Sequence, residues 1–184
     1  MSVLVETKRL RLRGWQDKDR AAFAELNRDP EVMRYLGPTM TQQDSDAAID
    51  KQIALMDSGE PAFWAAAKLD NDELIGCIGV KRVTFDVAFT PSFEIGWRLA
   101  RAHWGRGYAT ESAKAALELG FTRWNLCAIH SFTVPANIKS QAVMEKIGMS
   151  RVEGGDFDHP NLTKNDPLLW HVLYKIERSQ ISTD

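Results

Sequence analysis

Cysteine is scarce in this chain. The two residues, Cys77 and Cys127, each sit in an apolar run ("LIGCIGV", "NLCAIHSF") with no CxxC spacing and no histidine pair nearby. Both are expected as buried free thiols, not as a disulfide or a nucleophile. The four histidines, His103, His130, His159 and His171, lack HExxH or similar ligand spacing, so no metal is expected. No run approaches the roughly 20 apolar residues of a membrane span. The opening "MSVLVETKRLRLRGW" turns charged by Glu6, where a signal peptide needs an apolar stretch. A cytoplasmic location without membrane association is the expectation. An excess of either charge is missing too: 23 Lys+Arg stand against 25 Asp+Glu, for a net charge of −2. Such a balance offers no general attraction for nucleic acid or anionic lipid. Repeats, low-complexity tracts and Pro/Gly/Ser-rich linkers are also lacking.

What is present suits one folded unit over residues 1–184, with a core across about 3–177 and a short polar C-terminal tail. In "VETKRLRLRGW", Leu10 and Leu12 alternate with Arg9, Arg11 and Arg13, the period of a strand with one buried face. Asp17 is placed to cap a first helix, Pro30 to open a further turn, and a helix is expected from about Thr41 to Ser58. Strands follow at "AFWAAAKL", "LIGCIGVKRVTF" and "SFEIGWRLA", joined by polar turns. A helix from Ala109 to about Trp124 turns Ala113, Ala116, Leu117 and Gly120 or Phe121 inward. Next come a strand "AIHSFTV", a short helix capped by Asn137 and closed by Gly148, and two last strands near "MSRVEGG" and "LLWHVLYKI". The expected order is β-α-α-β-β-β-α-β-α-β-β. That is an α+β (mixed α/β) domain with a central twisted sheet of about seven strands flanked by helices. Trp15, Trp64, Trp97, Trp124 and Trp170 are expected in its core.

One stretch, "ARAHWGRGYATESAKAALELGF", sets Gly105, Arg106 and Gly107 just before a strong helix-forming run. Glycine costs backbone entropy that alanine would not, so something there needs a bare main chain. The first N–H groups of a helix lack partners, and its dipole places partial positive charge among them, which favours a phosphate or pyrophosphate. A dinucleotide fingerprint would need glycine at Thr110 and an acid near His130, and a Walker A loop would need Gly-Lys-Ser/Thr. Neither pattern is present.

"RLARAHWGRGYATES" resembles the acyl-CoA-binding motif of the GNAT superfamily of N-acetyltransferases, Q/R-x-x-G-x-G/A, matched by Trp104-Gly105-Arg106-Gly107-Tyr108-Ala109. Trp104 departs from Gln/Arg, and that departure is similar to the W-G-x-G-x-A-T-E form of the ribosomal-protein N-terminal acetyltransferase (RimJ/RimL-like) branch. "ETKRLRLRGW", "FEIGW" and "NIKSQAVMEKIGM" resemble the same branch in the same order. The resemblance implies acetyl-CoA as acyl donor and a primary amine as acceptor. The pantetheine arm would lie between two parted strands, against main-chain groups of Trp97, Arg98 and Leu99. The pyrophosphate would rest on amides from Trp104 to Ala109 and the adjoining Thr110, with charge from Arg106. Asn137 and Ser140 would lie near the pantetheine arm and the departing sulfur. A homodimer is a further expectation from this branch.

An amine attacks a thioester only as the neutral base, and the leaving thiolate needs a proton or a hydrogen bond. Glu94, on the strand entering the parted region, is the first candidate for the base, against the plainer reading of a solvated or salt-bridged Glu. Ser140 is the leading proton donor by resemblance, although helix capping explains it as well. Tyr174 and Tyr108 are reserves, against the plainer readings of Tyr174 as core with a polar handle and of Tyr108 as filling the core beneath the turn. Asp158 and His159, in "GGDFDHPNLTKNDP", could line the acceptor wall, but an ordinary exposed hairpin loop is the expected reading. The acceptor stays open between a peptide N-terminus and a small molecule such as a polyamine, an antibiotic or an amino acid. A non-catalytic acyl-CoA sensor is the alternative from another class.

Overall fold

The computed structural model describes residues 3–180. The opening segment "VETKRLRLRGW" is not one strand but two, β1 (Val3–Glu6) and β2 (Leu10–Arg13). Thr7 breaks it: its N–H donates to the Leu10 carbonyl at 2.8 Å, and its hydroxyl oxygen accepts the Leu10 N–H at 3.0 Å, closing a hairpin turn. Leu10 and Leu12 are fully buried as their alternation requires, but Arg13 is buried too. Its guanidinium grips Asp19 through bonds of 2.7 and 2.9 Å and Asp72 at 3.0 Å, the pairing that a buried charge needs.

Helices α1 (Asp19–Arg28), α2 (Pro30–Met33) and α3 (Gln42–Asp57) follow. Asp17 does not cap α1; Lys18 holds the N-cap position without a side-chain bond, because Asp19 is the carboxylate drawn inward by Arg13. Thr41 and Asp44 form a reciprocal capping box on α3. The meander β3 (Phe63–Lys68), β4 (Leu74–Arg82) and β5 (Phe93–Leu99) leads through a 3-10 turn at Arg101–His103 into α4 (Tyr108–Arg123). Then come β6 (Ala128–Thr133), α5 (Ile138–Lys146), β7 (Ser150–Arg151), β8 (Phe157–Asp158) and β9 (Trp170–Glu177).

The sheet runs β1-β2-β3-β4-β5-β6-β9-β7, with β8 on β9. Among the described residues it has nine strands where about seven were expected: the split first strand and β8 make the difference. Every pairing is antiparallel except β5 with β6. One face packs beneath α4, where Ala113, Ala116, Leu117, Gly120 and Phe121 are all buried, and beneath α5 through Met144. The other carries α1 to α3 over a second cluster around Trp15, Phe23 and Ile49.

Two expectations are corrected. Cys127 is exposed, and Cys77 is buried. Trp170 is 49% exposed at the first position of β9. At the start of the expected tail, Arg178–Gln180 forms a 3-10 turn, with the Arg178 Nε donating to the Leu126 carbonyl at 2.9 Å. The rest of the expected tail, 181–184, lies outside the described residues. Among the described residues no helix is long and apolar enough to cross a membrane.

Candidate active site

β5 and β6 run parallel yet share a single partner pair among the described residues, Glu94 with His130. Ser131 Oγ donates to the Ile95 carbonyl at 3.0 Å, and beyond that rung the strands part. The phase of the β4–β5 ladder decides which groups face the opening. Ala100 N–H donates to the Ile75 carbonyl at 2.9 Å, and the register pairs Arg98 with Cys77. Because antiparallel bonding alternates, the main chain of Arg98 turns toward β4 while those of Trp97 and Leu99 turn toward the gap. The Leu99 carbonyl is already taken by the Trp104 indole N–H at 2.7 Å. Of the three residues expected to meet a pantetheine arm, Trp97 offers both of its main-chain groups, Leu99 its N–H, and Arg98 neither. The Arg98 side chain instead donates to Asn27 Oδ1 at 2.6 Å, bracing α1 against β5.

The glycine turn sits at the C-terminal side of this opening. Gly105 and Gly107 have φ of 71° and 79°, a region that L side chains avoid, and a Cβ on Gly105 would meet nothing within 4 Å. Conformation, not crowding, calls for glycine here. Gly107 is the N-cap of α4 and supplies no side chain to cover it; the helical ladder begins with Glu111 N–H to the Gly107 carbonyl at 3.0 Å. The amides of Tyr108, Ala109 and Thr110 precede that first rung and are open to an anion. Trp104 is a correction, since its N–H donates to the Arg101 carbonyl at 3.1 Å and is not free. Arg106 is exposed.

Sequence reasoning missed what holds this turn. Arg9 donates from Nη1 to the Arg106 carbonyl at 2.9 Å and from Nε to Glu111 Oε2 at 2.6 Å, with its guanidinium 4.4 Å from the centre of the Tyr108 ring. Thr7 Oγ1 donates to Glu111 Oε1 at 2.6 Å. Burial pushes the Glu111 carboxyl up, but the hydrogen bonds from Thr7 and Arg9 prevail and hold it below the usual range. The acid beside the cradle is thus neutralised by Arg9. The signal was available: Thr7 and Arg9 lie in "ETKRLRLRGW" and Glu111 in "GYATES", two segments already singled out, but nothing local says that they touch.

Asn137 caps α5, accepting the Ser140 N–H at 3.3 Å, and its Nδ2 donates to Thr133 Oγ1 at 3.0 Å, fixing α5 to the end of β6. Half-buried Ser140 lies on the first turn, and neighbouring Lys139 stands 4.8 Å over the Trp104 ring, so this end of α5 adjoins the cradle. Tyr174 is not brought to Glu94. It is buried under α5, its hydroxyl 3.4 Å from Gln141 Oε1 and Glu145 Oε1. Glu94 pairs with His130 and His130 with Lys175, so alternation sends Tyr174 to the opposite face. Tyr108 packs beneath Arg9.

Glu94 faces the α1–α3 side, its side chain 14% exposed and its Oε1 3.1 Å from Lys81 Nζ. Burial raises its carboxyl above the ordinary range; the Lys81 charge and hydrogen bond only partly offset this. The loop carrying Asp158 and His159 is not a plain exposed hairpin. β8 pairs with β9, and the His159 ring packs 4.6 Å from that of Phe85, while Asp158 is exposed. Among the described residues no group of three or more His, Cys, Asp or Glu is placed to hold a metal.

The opening therefore crosses the sheet. On the α4–α5 side lie the bare amides and the α5 N-terminus that carries Ser140, and on the other side a largely buried carboxylate. The arrangement suits a long anionic thioester entering from one side and a nucleophile from the other. A family model described as an Acetyltransferase (GNAT) domain matches residues 9–150. The chain belongs to the GNAT acetyltransferase family. It is 36% identical to the uncharacterized N-acetyltransferase YnaD of Bacillus subtilis over 148 residues, 80% of this chain and 82% of the relative. The GNAT fold is equally evident in two solved structures. One is the RimL ribosomal alpha-N-protein acetyltransferase in complex with coenzyme A, with a TM-score of 0.78 at 15% identity, covering 96% of this chain and 98% of that one. The other is the spermidine N-acetyltransferase of Vibrio cholerae in complex with CoA and spermine, with a TM-score of 0.73 at 20% identity, covering 93% and 96%. This GNAT enzyme is an N-acetyltransferase that takes its acetyl group from acetyl-CoA. The same fold serves a protein terminus in one neighbour and a polyamine in the other, so the fold does not choose the acceptor.

Proposed function

We infer that the enzyme acetylates a primary α-amine, with a peptide or protein N-terminus as the first candidate, by direct attack of the neutral amine on acetyl-CoA. The observation that carries this reading is the Glu94 carboxylate, largely buried and raised in pKa at the last closed rung before β5 and β6 part. An α-amine titrates near 8 and a lysine amine near 10.4, so at pH 7 about a tenth of the former but only a few in ten thousand of the latter are neutral. One carboxylate, acting through a water, is sufficient help for the first. The amine nitrogen forms its bond to the thioester carbonyl carbon, and the proton it sheds passes to Glu94. The C–S bond then breaks, and the thiolate, met by the Ser140 hydroxyl, takes up a proton in turn. A main-chain N–H of β5 turned into the gap, that of Trp97, is the donor for the carbonyl oxygen, with that of Leu99 left to the pantetheine arm. The cytoplasm is the proposed location, and a homodimer the proposed assembly.

A panel of peptides, amino-acid amides and polyamines with acetyl-CoA, read by thiol release, tests this directly. Glu94→Gln is expected to lower kcat about 100-fold, within the range of general-base contributions. Ser140→Ala is expected to lower it about tenfold, the worth of one hydrogen bond to a developing charge. Full rates in both variants would remove these residues from the mechanism. Binding of CoA without turnover of any amine would turn the reading toward a sensor.

A further inference from the structure

The wall on the amine's side of the opening is built of rings. His130 is the register partner of Glu94, and Phe132 follows two residues on, so both project from Glu94's face of the sheet. Phe132 thus stands where β6 leaves β5, at the level of Gly96, which presents no side chain. The segment between β4 and β5 folds over them: the Phe89 ring lies 5.0 Å from His130 and 6.1 Å from Phe132, and the Phe85 ring 5.8 Å from Phe132. β8 adds Phe157, 5.5 Å from Phe132 and 5.2 Å from Phe89. All four phenylalanines are only half-buried. A satellite core needs no partly wetted rings at a strand opening, whereas a surface that receives an apolar group does.

Charge narrows the ligand further. Burial lowers the pKa of His130 and of His159, so both imidazoles are neutral at pH 7. Glu94 is paired with Lys81, and the carboxylates of the enclosing segments, Asp86 and Asp158, are exposed to solvent. A polycation would need several converging carboxylates, and this wall supplies one, already opposed by a lysine. The buried His130 Nδ1, which has no hydrogen-bond partner among the described residues, adds a single polar position among the rings.

We propose that this ring wall selects the acceptor, favouring a primary amine with an aromatic or branched apolar group within two or three bonds of the nitrogen over small or polycationic amines. The proposal rests on the reading of Glu94 as the base. In it, the apolar group lies against Phe89 and Phe132 while the nitrogen reaches the Glu94 carboxylate.

Phenylalaninamide, leucinamide and alaninamide share nearly the same α-amine chemistry and differ in side chain, so their kcat/KM ratios read the wall alone. The wild-type enzyme is expected to prefer the first two over alaninamide by about 10- to 100-fold, the worth of one buried large side chain, and to use spermidine least. Phe89→Ala is expected to bring the phenylalaninamide-to-alaninamide ratio close to one, chiefly through KM, and Phe89→Leu to restore most of it. Both amides are measured on one preparation, so loss of folded protein cancels in the ratio. Equal rates on the three amides, a preference for spermidine, or an unchanged ratio in Phe89→Ala would overturn the proposal and leave the base assignment standing. Failure on every amine would overturn the base assignment and the proposal with it.

Discussion

The cradle at Gly105–Thr110 and the wall around Glu94 lie on either side of one opening and are built on contrary principles. The cradle is contiguous in sequence and works through main-chain amides, so its side chains are nearly free while its glycines are not. The wall draws on β4, β5, β6 and β8, and works entirely through side chains. A backbone site is fixed by conformation, and the diphosphate common to every coenzyme A is what this cradle is proposed to hold. A side-chain site is open to change residue by residue, which is where acceptor choice can vary among proteins of one fold.

Substitutions should separate the two. The largest effect on donor binding is expected from Gly107→Val. A β-branched residue at φ 79° is strained by roughly 2 kcal/mol, so CoA affinity should fall about 30-fold by calorimetry, whereas Glu94→Gln should leave it unchanged. If Glu94→Gln weakens CoA as much, the two sites are not separate. Glu111→Gln comes next: with the Arg9 latch loosened, CoA affinity should drop about fivefold, and Arg9→Met combined with it should cost little more. Additive losses would mean that the two residues act independently.

Lys81→Met should leave the plateau rate near wild type and move only the acid limb of the kcat profile. The Lys81 charge holds the Glu94 carboxyl down, so its removal shifts that limb toward alkaline pH. The folded state, which already holds the Glu94 proton more tightly than the unfolded chain does, would then hold it more tightly still. Stability contributed by that proton is present at low pH and lost as pH rises through the raised pKa, which urea titrations across pH can read. A limb moving toward acid would contradict the pairing. Arg106→Ala, at an exposed position, should have the smallest effect: about twofold on CoA affinity, fading with added salt.

Much of this protein was readable without coordinates. Leu10 and Leu12 declared a buried strand face, Asn137 and Gly148 bracketed α5, and the glycine pair marked the turn that opens α4, because each signal is carried within a few residues. The errors fell where a distant partner decides the outcome. Asp19, not Asp17, turned inward because Arg13 needed a buried counter-charge. "GGDFDHPNLTKNDP" looked like solvent-exposed loop because Phe157 and His159 find their partners on β6, β9 and the β4–β5 segment. Arg98 and Trp104 were credited with main-chain groups that ladder phase and a local turn had already engaged. The Thr7–Arg9–Glu111 latch joins segments about a hundred residues apart.

By itself the sequence determined most of the elements, the glycine turn and the chemistry that such a turn invites, since backbone conformation and helix termini obey short-range rules. Tertiary structure alone decided that β5 and β6 separate just past Glu94, that Lys81 opposes that carboxylate, and that rings from three strands and loops meet beside it. Those facts depend on which residues the sheet brings together, and burial and Coulomb energy act on separation in space, not along the chain.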